Sequence, residues 1–165
     1  AVQAGGADGG PERVLVWGWA REIVAEGVRG RSEEDADQVG WSGLLTFPRE
    51  LVVDGDAVYT VPARELVGLR GEPLASDVLP DQAELVLSGS GEAELRLAGD
   101  GEDGQLIWQG VVAGEVRILI DASLIEVFPG RAASVTVRAY PAEGESYRLV
   151  AGPGVKVEAW ELRLA

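Results

Sequence analysis

The sequence predicts an all-β protein built around a β-sandwich, and three observations carry that prediction. From Ala83 onward short strand-like runs recur, each bounded by Gly, Pro or Asp. Val116, Ile118 and Ile120 alternate with Glu115, Arg117 and Leu119, and Val135, Val137 and Ala139 alternate with Ser134, Thr136 and Arg138. This period of two belongs to sheets with one buried face. No helical period interrupts this half, and 46% hydrophobic content over 165 residues is enough for a sizeable core.

Along the chain, residues 1–11 carry adjacent glycines and no periodicity, and they read as a flexible segment, a linker or a cut end. Order is expected from Arg13, where Val14, Leu15, Val16 and Trp17 form a β-branched and aromatic run suited to a strand buried on both faces. A short helix follows. Ser32 with Asp35 three residues later makes a capping-box-like pair, Glu33 and Glu34 suit a helix N-terminus, and Gly40 stands where a C-terminal glycine belongs. Residues 44–47 read as a strand stopped by Pro48, and Asp54-Gly55 joins 51–53 to 57–60 as a hairpin, all in one antiparallel sheet. Gly71, Pro73 and Pro80 mark a connector between two units. Strands are then expected over 84–88, 93–98, 105–109, 115–121, 124–128, 134–140, 147–150 and 155–164.

Composition removes several function classes. Asp and Glu outnumber Lys and Arg 28 to 14, a net charge of −14, and Lys156 is the single lysine. Nucleic-acid binding needs clustered cations to neutralise phosphate, so this balance speaks against it. An acidic surface suits a neutral polyol as partner, or serves solubility alone. The sequence has no Cys and no His, which leaves no disulfide, no thiolate or imidazole metal site and no Ser-His-Asp triad. Hydrolysis here would run on carboxylates. No apolar run approaches the roughly 20 residues of a membrane-spanning helix. Asp100-Gly101-Glu102-Asp103-Gly104 lacks the ligand spacing of a calcium loop and reads as a solvated turn.

The most specific stretch is Gly40-Trp41-Ser42-Gly43-Leu44-Leu45-Thr46-Phe47-Pro48-Arg49-Glu50-Leu51. With Trp17-Gly18-Trp19 before it, and with Asp121-Ala122-Ser123-Leu124-Ile125-Glu126-Val127-Phe128 and Arg138-Ala139-Tyr140-Pro141 after it, the chain resembles the C-terminal portion of glycoside hydrolase family 32, the invertase, levanase and inulinase group. The turn Pro129-Gly130-Arg131 departs from the Asn- or Asp-containing turn of the family pattern. The resemblance implies a flexible start at 1–11, the last blade of a five-bladed β-propeller at 12–72, a linker at 73–79 and a C-terminal β-sandwich at 80–165. It implies retaining hydrolysis of fructosides, or fructosyl transfer, by an Asp nucleophile, a Glu acid/base and a stabilising Asp, without metal or cofactor. The motifs for these acids, Asn-Asp-Pro, Arg-Asp-Pro and Glu-Cys, do not occur in this sequence. No catalytic residue is therefore assigned, and these residues alone are expected to be inert. The sugar partner would be met through propeller residues outside this sequence, and the open edges of a lone blade would favour self-association.

The resemblance places two residues at the substrate. Trp19 matches a ring lining the sugar pocket, with a core tryptophan between blades as the rival; Glu22 either bonds sugar hydroxyls or is a surface carboxylate. Trp17 and Trp41 read as packing residues, and Arg49 with Glu50 as a structural ion pair. Asp121 and Glu126 belong to the sandwich, away from chemistry. The alternative to the hydrolase reading is a stand-alone carbohydrate-binding or structural β-sandwich module.

Overall fold

A computed structural model describes residues 2–4, 13–22, 30–99 and 104–163. The described part is almost all β, as expected. The proposed turn at 100–103 and most of the 1–11 segment lie outside the described residues. Within that segment, however, Val2–Ala4 form strand β1, paired antiparallel with β2 (Arg13–Val16). An open edge of β2 supplies the backbone partners that a run too short to signal a strand needs.

Strands β5 (Arg49–Asp54) and β6 (Ala57–Pro62) form the anticipated hairpin, closed by Gly55 at φ 61°, and give a four-stranded sheet in the order β1-β2-β5-β6. Strands β3 (Trp19–Ala20) and β4 (Leu44–Leu45) pair separately. The single sheet expected here is split because the chain turns at Gly18 and Thr46. The Gly18 N–H donates to Thr46 Oγ1 at 2.8 Å and the Thr46 N–H to the Gly18 carbonyl at 2.9 Å. Helix α1 (Glu33–Val39) sits between these strands. Ser32 Oγ accepts the Asp35 N–H, the Asp35 carboxylate accepts the Ser32 N–H, and Gly40 closes the helix in the left-handed conformation at φ 78°.

The sandwich is one sheet folded over on itself. Strands β9 (Gln82–Ala98) and β10 (Gln105–Asp121) pair along their whole length, with a bulge between Leu106 and Trp108. Each was expected as two strands because glycines interrupt it. Gly89 (φ 100°) lies opposite Gly114 (φ 105°), so both strands turn a corner together instead of ending. On one side of the corner β9 pairs with β14 (Val155–Leu162), and on the other with β13 (Ser146–Ala151). Strands β11 (Leu124–Phe128) and β12 (Val135–Arg138) extend the first layer beyond β10. Leu85, Leu87, Ile118, Ile120, Ile125 and Val127 from that layer and Leu95, Leu97, Tyr147 and Leu149 from the other enclose one buried cluster.

The connector expected at 69–81 is ordered. A 3-10 helix (Arg64–Leu69) leads to β7 (Arg70–Pro73), which pairs with β14, and β8 (Val78–Leu79) pairs with β13. Arg70 also reaches the fully buried Glu84 at 2.7 and 2.9 Å, stacks 3.9 Å over the Trp160 ring and shares Glu84 with Arg117. Burial resists the charge on Glu84, yet Arg70 and Arg117 hold its carboxyl below the ordinary range. These partners are far away in sequence, so local turn signals could not reveal them. A second apolar cluster lies on the outer face of the first layer. Leu119, Phe128 and Leu162 meet Ala63 and Leu66 there, backed by Leu15, Phe47 and Leu69. It seats the N-terminal strands against the sandwich. Among the described residues no helix is long and apolar enough to cross a membrane.

Candidate functional site

Two polar clasps flank that apolar seam, and both draw on the sequence stretch 40–51. At the first, Glu126 is fully buried. It accepts the Phe47 N–H at 2.7 Å and pairs with the Arg49 guanidinium, which also donates to Thr136 at 2.7 Å and Ser134 at 3.0 Å. Arg49 and Glu50 were expected to pair with each other and do not. Neighbours on a strand face opposite sides, so Arg49 reaches the sandwich while Glu50 takes Arg13 at 2.6 Å and Arg64 at 3.0 Å. The hydrogen bonds from Arg64, opposed by burial and reinforced by Arg13, hold the Glu50 carboxyl at about 2. Asp121 accepts from Gln82 at 2.9 Å. The carboxylates of the Asp121 to Phe128 stretch therefore serve structure.

The second clasp centres on Glu22, whose side chain is only 2% exposed. Glu22 is therefore not a surface carboxylate. Its oxygens accept from the Tyr140 hydroxyl at 2.6 Å, the Gly43 N–H at 3.1 Å and Arg31 at 3.2 Å, and pair with the Arg138 guanidinium at 3.1 Å. Burial disfavours the charge, but the Tyr140 hydroxyl, the Gly43 amide and the two guanidinium groups together hold the carboxyl below its ordinary value. Burial and Glu22 push the Tyr140 phenol up, which keeps its proton in place as the donor. Arg138 is itself buried and donates to Ser123 Oγ at 2.9 Å. Arg31 lies 3.9 Å over the Trp41 ring and donates to the Trp41 carbonyl at 2.9 Å. Sequence reasoning missed Tyr140, Arg138 and Arg31 as partners of Glu22. The Arg138 to Pro141 motif was the one available signal.

Above this hub the surface is aromatic. Trp19 is 60% exposed on β3, opposite Leu45 of β4, and Trp17, Trp41 and Leu45 are exposed as well. Of the two tryptophans read as packing residues, Trp41 packs against Arg31 and Trp17 is 42% exposed. Gly43, in the left-handed region at φ 67°, lies against the Trp19 indole. A β-carbon there would sit 2.7 Å from Trp19 Nε1 and 2.8 Å from the Ala20 carbonyl oxygen. Elsewhere, a cavity of about 320 Å³ opens between the sandwich layers beside Leu74, Leu79, Leu85 and Leu149. Core leucines form its floor, and the exposed Ala75, Ser76, Asp77, Ala151 and Val157 form its rim. Among the described residues no group of three or more His, Cys, Asp or Glu is arranged to hold a metal.

What this arrangement can do is present an exposed indole above a buried, fully engaged carboxylate, Glu22. No protein-family model matches the chain. Solved structures do match its fold. A GH32 beta-fructofuranosidase of Bombyx mori superposes with a TM-score of 0.67 at 22% identity, covering 98% of this chain and 40% of that one. Sucrose-6-phosphate hydrolase from Lactobacillus gasseri gives 0.66 at 17% identity, over 95% of this chain and 39% of the other. Fructan 1-exohydrolase IIa from Cichorium intybus gives 0.62 at 20%, over 93% and 46%. The chain has the fold of part of these hydrolases and spans about 40% of the length of the first of them.

Proposed function

We propose that the chain belongs to glycoside hydrolase family 32 and forms the C-terminal part of a retaining hydrolase acting on β-fructofuranosides. The observation that carries this reading is the coverage. Nearly all of this chain, but only about two-fifths of the beta-fructofuranosidase, enters the match. The four-stranded sheet and the β3–β4 pair are the final blade of a propeller, and the folded-over sheet is the sandwich that braces it through the Glu126 and Glu22 clasps. The acid residues of the reaction lie outside this sequence, whose own buried carboxylates are committed to arginines. Trp19 contributes an indole face to the sugar pocket, and Glu22 supports it from below. The open edge of β6, flanked by exposed Val53 and Val58, favours self-association where no neighbouring blade covers it.

The test is Trp19→Ala in the protein that joins this chain to the upstream residues of its reading frame. KM for sucrose or a fructan is expected to rise about tenfold, the equivalent of ~1.4 kcal/mol of lost contact. An unchanged KM removes Trp19 from the pocket. The rival, a stand-alone carbohydrate-binding module, draws on the exposure of Trp17, Trp19 and Trp41. It requires a saturable change in tryptophan fluorescence when fructan is added to this chain alone, whereas the bracing role requires none.

A further inference from the structure

We infer that Tyr140 and Arg138, both on the sandwich side, are positioning residues for Trp19 and act through the buried Glu22 carboxylate. Its functional meaning rests on the proposal that Trp19 faces a sugar. The geometry forms a chain of contacts. The β3–β4 ladder contains only the pairs Trp19 with Leu45 and Ala20 with Leu44, too few to hold a strand pair in place alone. Trp19 is largely exposed, so few side chains fix its ring. Gly43 lies against the indole, and its missing side chain leaves the space that Trp19 Nε1 fills.

Gly43 is tethered by its N–H to Glu22 at 3.1 Å, and Glu22 is tethered in turn by the Tyr140 hydroxyl at 2.6 Å and Arg138 at 3.1 Å. Tyr140 and Glu22 are 118 positions apart. Arg138 is anchored to Ser123 in the turn between β10 and β11, and its neighbour Ala139 donates its N–H to the Ser123 carbonyl at 3.0 Å. The sandwich therefore sets the height and tilt of Gly43, and Gly43 sets the seat of the ring. Bracing and substrate orientation become one function of the same hub.

Indole N–H signals of the ¹⁵N-labelled chain test this directly. Five tryptophans give five signals, and the one lost in Trp19→Phe belongs to Trp19. Tyr140→Phe removes one hydroxyl, and Glu22→Gln removes the charge; in both, the Trp19 signal is expected to shift and broaden while those of Trp108 and Trp160 hold their positions. Val116→Ala, a truncation in the sandwich core, lowers stability without touching the hub and is expected to leave Trp19 unmoved. A Trp19 signal that stays in place in Tyr140→Phe and Glu22→Gln, while Tm falls, overturns the inference and leaves only a brace. The sugar reading fails separately. If KM is unchanged in Trp19→Ala but the indole moves in Tyr140→Phe, the coupling stands and the sugar contact does not.

Discussion

Replacing Arg49 by Met isolates the contribution of the first clasp to the whole fold. The substitution keeps most of the apolar stem but removes the guanidinium from a fully buried Glu126, and with it the hydrogen bonds to Thr136 and Ser134. Breaking a buried ion pair from one side typically costs about 3–5 kcal/mol, because the remaining charge is left uncompensated. Glu126 keeps the Phe47 N–H at 2.7 Å and the Thr136 hydroxyl at 3.3 Å, and the Arg49 side chain is 14% exposed, so the lower end, about 3 kcal/mol, applies. For a chain of this size that corresponds to a fall in Tm of roughly 6–12 °C. Urea unfolding of the wild type, Arg49→Met, Glu126→Gln and the double variant forms a complete cycle. Glutamine still accepts from Phe47 but carries no charge, so the double variant is expected to recover stability relative to Arg49→Met, with a coupling above about 1 kcal/mol. A loss in Arg49→Met of less than ~1 kcal/mol, the value of an exposed pair, refutes the reasoning.

Gly43→Ala and Gly40→Ala form a matched pair. Both glycines have positive φ, but Gly40 has nothing within 4 Å of an added β-carbon, whereas Gly43 has the Trp19 ring and the Ala20 carbonyl. Gly40→Ala is expected to cost only about 1–2 kcal/mol of backbone strain. Gly43→Ala should exceed that and displace the Trp19 indole signal; equal losses in urea unfolding would contradict the contact. Glu50→Gln tests the Arg13–Glu50–Arg64 cluster through pH. A carboxyl lowered from 4.5 to about 2 in the fold adds stability that is present above its unfolded value and disappears as pH falls through its folded value. The stability gap between wild type and Glu50→Gln, open at neutral pH, is therefore expected to close between 4.5 and about 2. A gap independent of pH would show that Glu50 contributes no charge-linked stability.

Local chemistry made part of this fold legible. The capping box at Ser32 and Asp35, the left-handed Gly40 and the Asp54-Gly55 turn each depend on neighbours within a few residues, and each is found where the sequence puts it. Strand β11 was likewise readable from its own apolar run. Long-range pairing was not. Gly89 and Gly114 look like strand ends in sequence because glycine weakens a strand, and only their opposition across the ladder makes them a shared corner. Strand β7 is readable only through β14 and Glu84, which follow it in the chain. The site shows the same limit. Trp19 could be singled out by its motif, but Glu22 beside the exposed Arg21 looks like an ordinary surface acid. Its burial is decided by Tyr140 and Arg138, on a different layer of the molecule. Arg49 and Glu50, adjacent in sequence, were separated by the alternation of a strand.

Fructose release from sucrose, inulin and levan, measured for this chain alone and for the protein that includes its upstream residues, tests the central claim most directly. The account predicts release by the longer protein and none by these 165 residues, whose buried Glu22 and Glu126 are held in clasps. Turnover by the pure chain alone would contradict it.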